Sequence, residues 1–64
     1  MKNYTFHIGE GEFISVEAED IETARQKIIV DGKPLRHNAI EYAIDNNGHQ
    51  YEWQEDEWLS MKAY

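Results

Sequence analysis

Apolar and polar residues alternate along "NYTFHI", with Tyr4, Phe6 and Ile8 on one side and Thr5 and His7 on the other. This is the two-residue period of a strand. "EFISVEA" alternates in the same way, with Ile14, Val16 and Ala18 on one face and Phe13, Ser15 and Glu17 on the other. Gly9 and Gly11 interrupt the pattern between them. A two-residue turn at Glu10-Gly11 would set Phe6 against Ser15 and cross the faces. A three-residue turn, Gly9 to Gly11, sets Phe6 against Ile14 and Tyr4 against Val16, with Gly11 in the left-handed position. The second register keeps the apolar side chains together and is the one expected.

The period then lengthens. Ile21, Ala24, Ile28 and Ile29 form an apolar stripe at helical spacing. Asp20 is placed to cap the helix, Glu22 lies in its positive first turn, and Arg25 and Lys27 lie toward its negative end. Asp31-Gly32, with Pro34 soon after, predicts its stop after about 10–11 residues. "LRHNA" is a connector. "AIEYAID" returns to strand, and "NNG" marks a hairpin. A two-residue turn at Asn47-Gly48 would pair Ile44 with Tyr51 and Tyr42 with Trp53 on one face. Glu41/Gln54, Ala43/Glu52 and Asp45/Gln50 would pair on the other. "EDEWLSMKAY" is expected to close the chain as a short helical turn, with Trp58 and Leu59 packing back.

The pattern as a whole predicts an α+β fold in ββαββ order. It is a small two-layer sandwich in which an antiparallel four-stranded sheet, made of two hairpins, packs on one helix. The chain has 64 residues, the size of a single domain spanning 1–64 that buries only about 60% of its unfolded surface. Its core must therefore rely on large side chains. Cysteine is absent, which excludes disulfides, thiolate metal sites and thiol nucleophiles. "MKNYTFHI" has no signal-peptide apolar run, and no window approaches the ~18 apolar residues of a membrane helix. A soluble protein of the cytoplasm is expected.

Charge changes the picture most. Thirteen acids face six bases, for a net charge of −7. Direct binding to nucleic acid or an anionic membrane is disfavoured, and a basic partner is favoured over them. The signs are also segregated. Between Asn3 and Ala24 lie Glu10, Glu12, Glu17, Glu19, Asp20 and Glu22, with no Lys or Arg. Between His37 and Met61 lie Glu41, Asp45, Glu52, Glu55, Asp56 and Glu57, again with none. Arg25, Lys27, Lys33 and Arg36 occupy the segment between, accompanied by Asp31 alone. Acidity that served only solubility would usually be interspersed, because like charges opposed on a sheet destabilise it. Carboxylates two apart on a strand, as Glu10/Glu12 and Glu17/Glu19 are, stand roughly 6–7 Å apart. With the "EDE" run they could imitate a track of phosphates for a protein that grips DNA through Lys and Arg. The candidate partner-binding residues are Glu10, Glu12, Glu17, Glu19, Glu41, Asp45, Glu52, Glu55, Asp56 and Glu57. Trp58 joins them as an interface anchor, or is instead a lid on the core.

Other chemistry finds little footing. His7, His37 and His49 lack metal-ligand spacing and read as surface histidines. Ser15 and Ser60 belong to no nucleophile motif. Glu41 and Glu52 share a sheet face, as two catalytic carboxylates would, but a domain this small has little room to desolvate one. No catalytic, cofactor or metal residue is assigned, and no enzyme is expected.

In its opening strand "NYTFHI", its strand-to-helix run "FISVEA"–"IETARQKII" and its closing antiparallel pair, the chain resembles the small phage-encoded anti-CRISPR proteins. In size and acidity it is most similar to the DNA-mimicking members that act on type I CRISPR surveillance complexes. The resemblance implies an inhibitor that occupies the basic surface recognising target duplex or its protospacer-adjacent motif. An exposed edge strand in either hairpin can pair with its twin, though edge glutamates discourage that, so a monomer or weak dimer is expected. The alternative is an acidic inhibitor or adaptor of another basic protein, such as a restriction subunit or a toxin.

Overall fold

The computed structural model describes residues 1–9 and 11–61. Strand β1 (Lys2–Ile8) and strand β2 (Glu12–Ala18) form the first hairpin. Phe6 stands opposite Ile14 and Tyr4 opposite Val16, as the alternation requires. Gly11 takes φ +78°, a left-handed conformation that residues with a Cβ rarely adopt. Asp20 caps helix α1 (Ile21–Lys27), accepting the Thr23 backbone N–H at 2.7 Å.

From Ile28 onward the chain departs from expectation. The helix ends at Lys27, and Ile28 is already extended. Strands β3 (Ile29–Val30) and β4 (Lys33–Pro34) then make a two-stranded ribbon. Asp31-Gly32 is its turn, with both residues at positive φ (53° and 79°). Asp-Gly serves a tight hairpin as well as a helix stop, and two β-branched residues before it favour extension. After a single 3-10 turn at His37–Ala39 come β5 (Tyr42–Asp45), β6 (Gln50–Gln54) and β7 (Glu57–Met61). The tail expected as a helical turn is thus a strand through Met61, and 62–64 lie outside the described residues. The fold is mostly β: five antiparallel strands in the order β2-β1-β5-β6-β7, plus the β3–β4 ribbon. The expected four-stranded sheet in ββαββ order is corrected on both counts.

The second hairpin is also displaced by one residue. Ala43 faces Tyr51 and Ile44 faces Gln50, where Ile44/Tyr51 was expected. "DNNGH" forms a three-residue loop closed by the Gly48 N–H on the Asp45 carbonyl and the Asp45 N–H on the His49 carbonyl, both at 3.0 Å. Gly48 at φ +83° supplies the left-handed bulge position. One residue of slip exchanges the faces. Ala43 and Asp45 now point with Tyr51 and Trp53 toward the helix, and Tyr42 and Ile44 point away. The neighbouring strand explains the choice, because β1 sets fully buried Phe6 against Ala43, the small residue that leaves the ring room.

Tyr4, Phe6, Ala18, Ala24, Ile28, Leu35, Ile40 and Ala43 make the core between sheet and helix. The other sheet face has no covering layer among the described residues. No helix there is long and apolar enough to cross a membrane.

Candidate functional site

Two groups of polar and aromatic side chains stand out, one on each side of the sheet. On the helix side Glu22 is a hub. Its carboxylate accepts from Arg25 Nε (3.1 Å) and Nη2 (2.7 Å), from His37 Nε2 (2.9 Å) and from Trp58 Nε1 (2.9 Å). Arg25 is 9% exposed and also donates through Nη1 to the Leu35 carbonyl. The His37 ring stacks on Trp53 with centroids 3.8 Å apart, and Trp58 meets Trp53 edge-on at 5.3 Å. Burial would raise the Glu22 pKa, but hydrogen bonds from Arg25, Trp58 and His37 and the Arg25 charge outweigh it and bring it down to about 2. The hub ties helix, connector and β6–β7 together. Its carboxylate is engaged by three side chains, so its role is structural. Trp58 is therefore a half-buried strut of this cluster packed against the core, in keeping with the lid rather than the anchor of its two expected roles.

The far face of the sheet follows from register. One row runs Phe13, His7, Tyr42. The next runs Ser15, Thr5, Ile44, Gln50, Met61. Glu17 and Asn3 extend the face beside β2, and Glu52/Leu59 and Gln54/Glu57 extend it across β6 and β7. No Lys or Arg occupies any of these positions. Glu17 and Glu57 are exposed and Glu52 is half-buried, with Gln50 and Gln54 both donating to the Glu52 carboxylate. Glu41 sits beside the face, its side chain 58% exposed and its Oε1 2.8 Å from His7 Nδ1. That contact is close, but it lacks the alignment of a hydrogen bond, and Nδ1 is otherwise unpartnered. The bases Arg25, Lys27, Lys33 and Arg36 all belong to the helix, the ribbon and the connector on the opposite side. These bases thus lie on one side, where Glu12, Glu22, Asp31 and Asp45 accompany them, while the open face carries acids without Lys or Arg among the described residues.

The expected carboxylates do not form a single track. Glu12 and Glu17 lie an odd number of residues apart on one strand, so they face opposite sides. Glu19 is exposed in the bend between β2 and α1. Glu10 lies outside the described residues. Asp45 is 5% exposed and accepts the Asn47 and His49 backbone N–H groups (2.9 Å each) and the Tyr51 hydroxyl (3.0 Å). Burial opposes its charge, but these donors hold its pKa below the usual carboxylate range. In turn burial, together with the Asp45 contact, pushes the Tyr51 phenol up. Asp45 is therefore a turn-fixing group and is withdrawn from the partner-binding set. Glu55 and Asp56 form the β6–β7 turn with φ of 50° and 63°. Such angles favour Gly or Asn, and here two acids adopt them with Glu57 adjacent. Strain and like-charge crowding coincide at an exposed tip.

Sequence patterns missed the Glu22–Arg25–His37–Trp58 hub and the Phe13–His7–Tyr42 row. The first joins residues distant in sequence. The second appears only once β5 is known to pair with β1. Among the described residues no three His, Asp or Glu side chains are placed to hold a metal ion. No protein-family model, curated protein or solved structure matches the chain.

Proposed function

We propose that the chain is a non-enzymatic binding protein that takes the place of nucleic acid on a basic surface of a partner protein. It would act as an acidic inhibitor in the bacterial cytoplasm, and a type I CRISPR surveillance complex is the partner of first choice. One observation carries the proposal. Among the described residues the uncovered sheet face has carboxylates and no Lys or Arg, while four bases are gathered on the other side. A molecule whose uncompensated negative charge lies on one face is steered face-first onto a positive groove, and its binding weakens as salt rises. Glu17, Glu52 and Glu57 on the face, with Glu41, Glu55 and Asp56 near its rim, are the phosphate stand-ins. The strained Glu55-Asp56 turn supports this, because a chain selected for stability alone would favour Gly or Asn there.

The test is co-purification with a type I complex in the presence and absence of duplex DNA. Competition by the duplex is expected, together with at least a hundredfold loss of affinity for the triple variant Glu17→Lys/Glu52→Lys/Glu57→Lys. Circular dichroism should show that variant folded. Undiminished binding of the folded variant, or indifference to duplex, would overturn the proposal. Retention instead by a restriction subunit or toxin, again displaced by duplex, would move the target and keep the mode. A companion variant, Asp56→Gly, should relieve the left-handed strain and raise stability by about 0.5–1 kcal/mol. Its affinity for the partner should fall, opposing stability to binding at one position.

A further inference from the structure

We infer that the Phe13–His7–Tyr42 row is a seat for an arginine side chain of the partner, so that the open face recognises guanidinium in preference to ammonium. The inference deepens the function proposed above and rests on it. The His7 ring lies between its neighbours, with centroids 4.7 Å from Phe13 and 4.8 Å from Tyr42. These three side chains come from three adjacent strands and form one continuous aromatic strip. Phe13 closes the strip at the β2 edge and is 59% exposed, so its ring offers a free face beside the strip. Glu41 adjoins the strip at His7.

An aromatic strip with one exposed ring, Phe13, and a solvent-accessible carboxylate beside it suits one side chain above others. A guanidinium is planar, stacks on a ring face, and can donate two parallel hydrogen bonds to a carboxylate at its edge. A lysine ammonium meets the same charge but has no plane to stack. A second copy packed face to face is a poor occupant, because it would set the same carboxylates against each other, its own bases lying on the helix side where Arg25 is already held by Glu22. A purely apolar partner would leave the rim charges desolvated without compensation. The occupant is therefore a basic protein segment that presents arginine.

The probes are two nine-residue peptides, all arginine and all lysine, titrated into the 15N-labelled protein at fixed ionic strength. The arginine peptide is expected to bind at least fivefold tighter, with the largest shifts at His7, Phe13, Glu41 and Tyr42. Phe13→Ala, at an exposed position that should leave the fold intact by its amide spectrum, is expected to bring the arginine peptide to within twofold of the lysine peptide. Equal affinities in the wild type, a preference that survives Phe13→Ala, or shifts centred on the helix side would overturn the inference. In those cases loss of both peptides from the Glu17→Lys/Glu52→Lys/Glu57→Lys variant would leave the electrostatic function standing. Unchanged peptide binding by that triple variant would overturn both.

Discussion

Glu22→Ala is expected to lower stability by about 2–3 kcal/mol, read as a fall in the urea midpoint with the slope unchanged. The substitution leaves Arg25 at 9% exposure without its carboxylate and frees the Trp58 indole N–H and the His37 ring from their common acceptor. Removing one partner from such a group costs more than the bond itself contributes, because the remaining charge stays partly desolvated. Glu22→Gln should recover part of the loss, since its amide oxygen still accepts from Trp58 but carries no charge for Arg25. The same hub makes the protein acid-sensitive. Glu22 has an ordinary pKa of 4.5, lowered to about 2 in the folded chain. The folded state thus releases this proton more readily than the unfolded one. Its contribution is complete above pH 4.5 and disappears as pH falls toward 2. The full shift corresponds to about 3 kcal/mol. With the side chain 40% exposed, water screens the contacts, and about 1–2 kcal/mol of acid-dependent stability is expected. Urea unfolding at pH 7, 4 and 2.5 measures it, and the Glu22→Gln variant should lose that slope. A wild-type stability that is flat across this range would remove the hub from the account of the fold.

Asp45→Ala is the second large effect, at about 2–3 kcal/mol. Two backbone N–H groups of the β5–β6 loop and the Tyr51 hydroxyl lose their acceptor. Without that carboxylate the loop has less to hold it in the three-residue form, and the one-residue register that places Ala43 beneath Phe6 becomes less secure. Thermal unfolding by circular dichroism should show the loss. Partner affinity, measured below the lowered melting temperature, should change less than twofold, because Asp45 is buried on the helix side. A variant that folds as well as wild type but binds much more weakly would return Asp45 to the interface.

Local signals carried the first half of the fold. Gly9 and Gly11, two residues apart between two alternating segments, left one sensible pairing for β1 and β2, and the Asp20 cap marked where the helix begins. Ambiguous signals account for the errors that followed. Asp31-Gly32 suits both a helix stop and a tight hairpin, and the β-branched pair Ile29-Val30 decided for the hairpin. "NNG" supports a two- or a three-residue loop, and the choice depended on what Asp45 could accept and what Phe6 could tolerate across β1. Neither is visible in the hairpin's own sequence. Glu55-Asp56 lacks the Gly or Asn that such a turn favours, so β7 had only a weak local announcement. For the candidate site, the separation of acid from base was legible in the order of residues. The facing of each carboxylate was not, because it depends on strand parity and register: Glu17 lies on the open face, Glu12 is exposed on the helix side, and Asp45 is enclosed.

The sheet is two local meanders, β1–β2 and β5–β6–β7, stitched along a single seam where β1 meets β5. Every other pairing in it joins strands adjacent in the chain. That seam closes the longest loop in the sheet, so its formation should govern the folding rate, while each meander assembles quickly on its own side. During synthesis the N-terminal hairpin and helix emerge first, with the seam edge of β1 unpaired until Tyr42–Asp45 clears the ribosome. Mutations at Thr5, Phe6, Ala43 or Ile44 should therefore slow folding, and those in β7 should mainly speed unfolding.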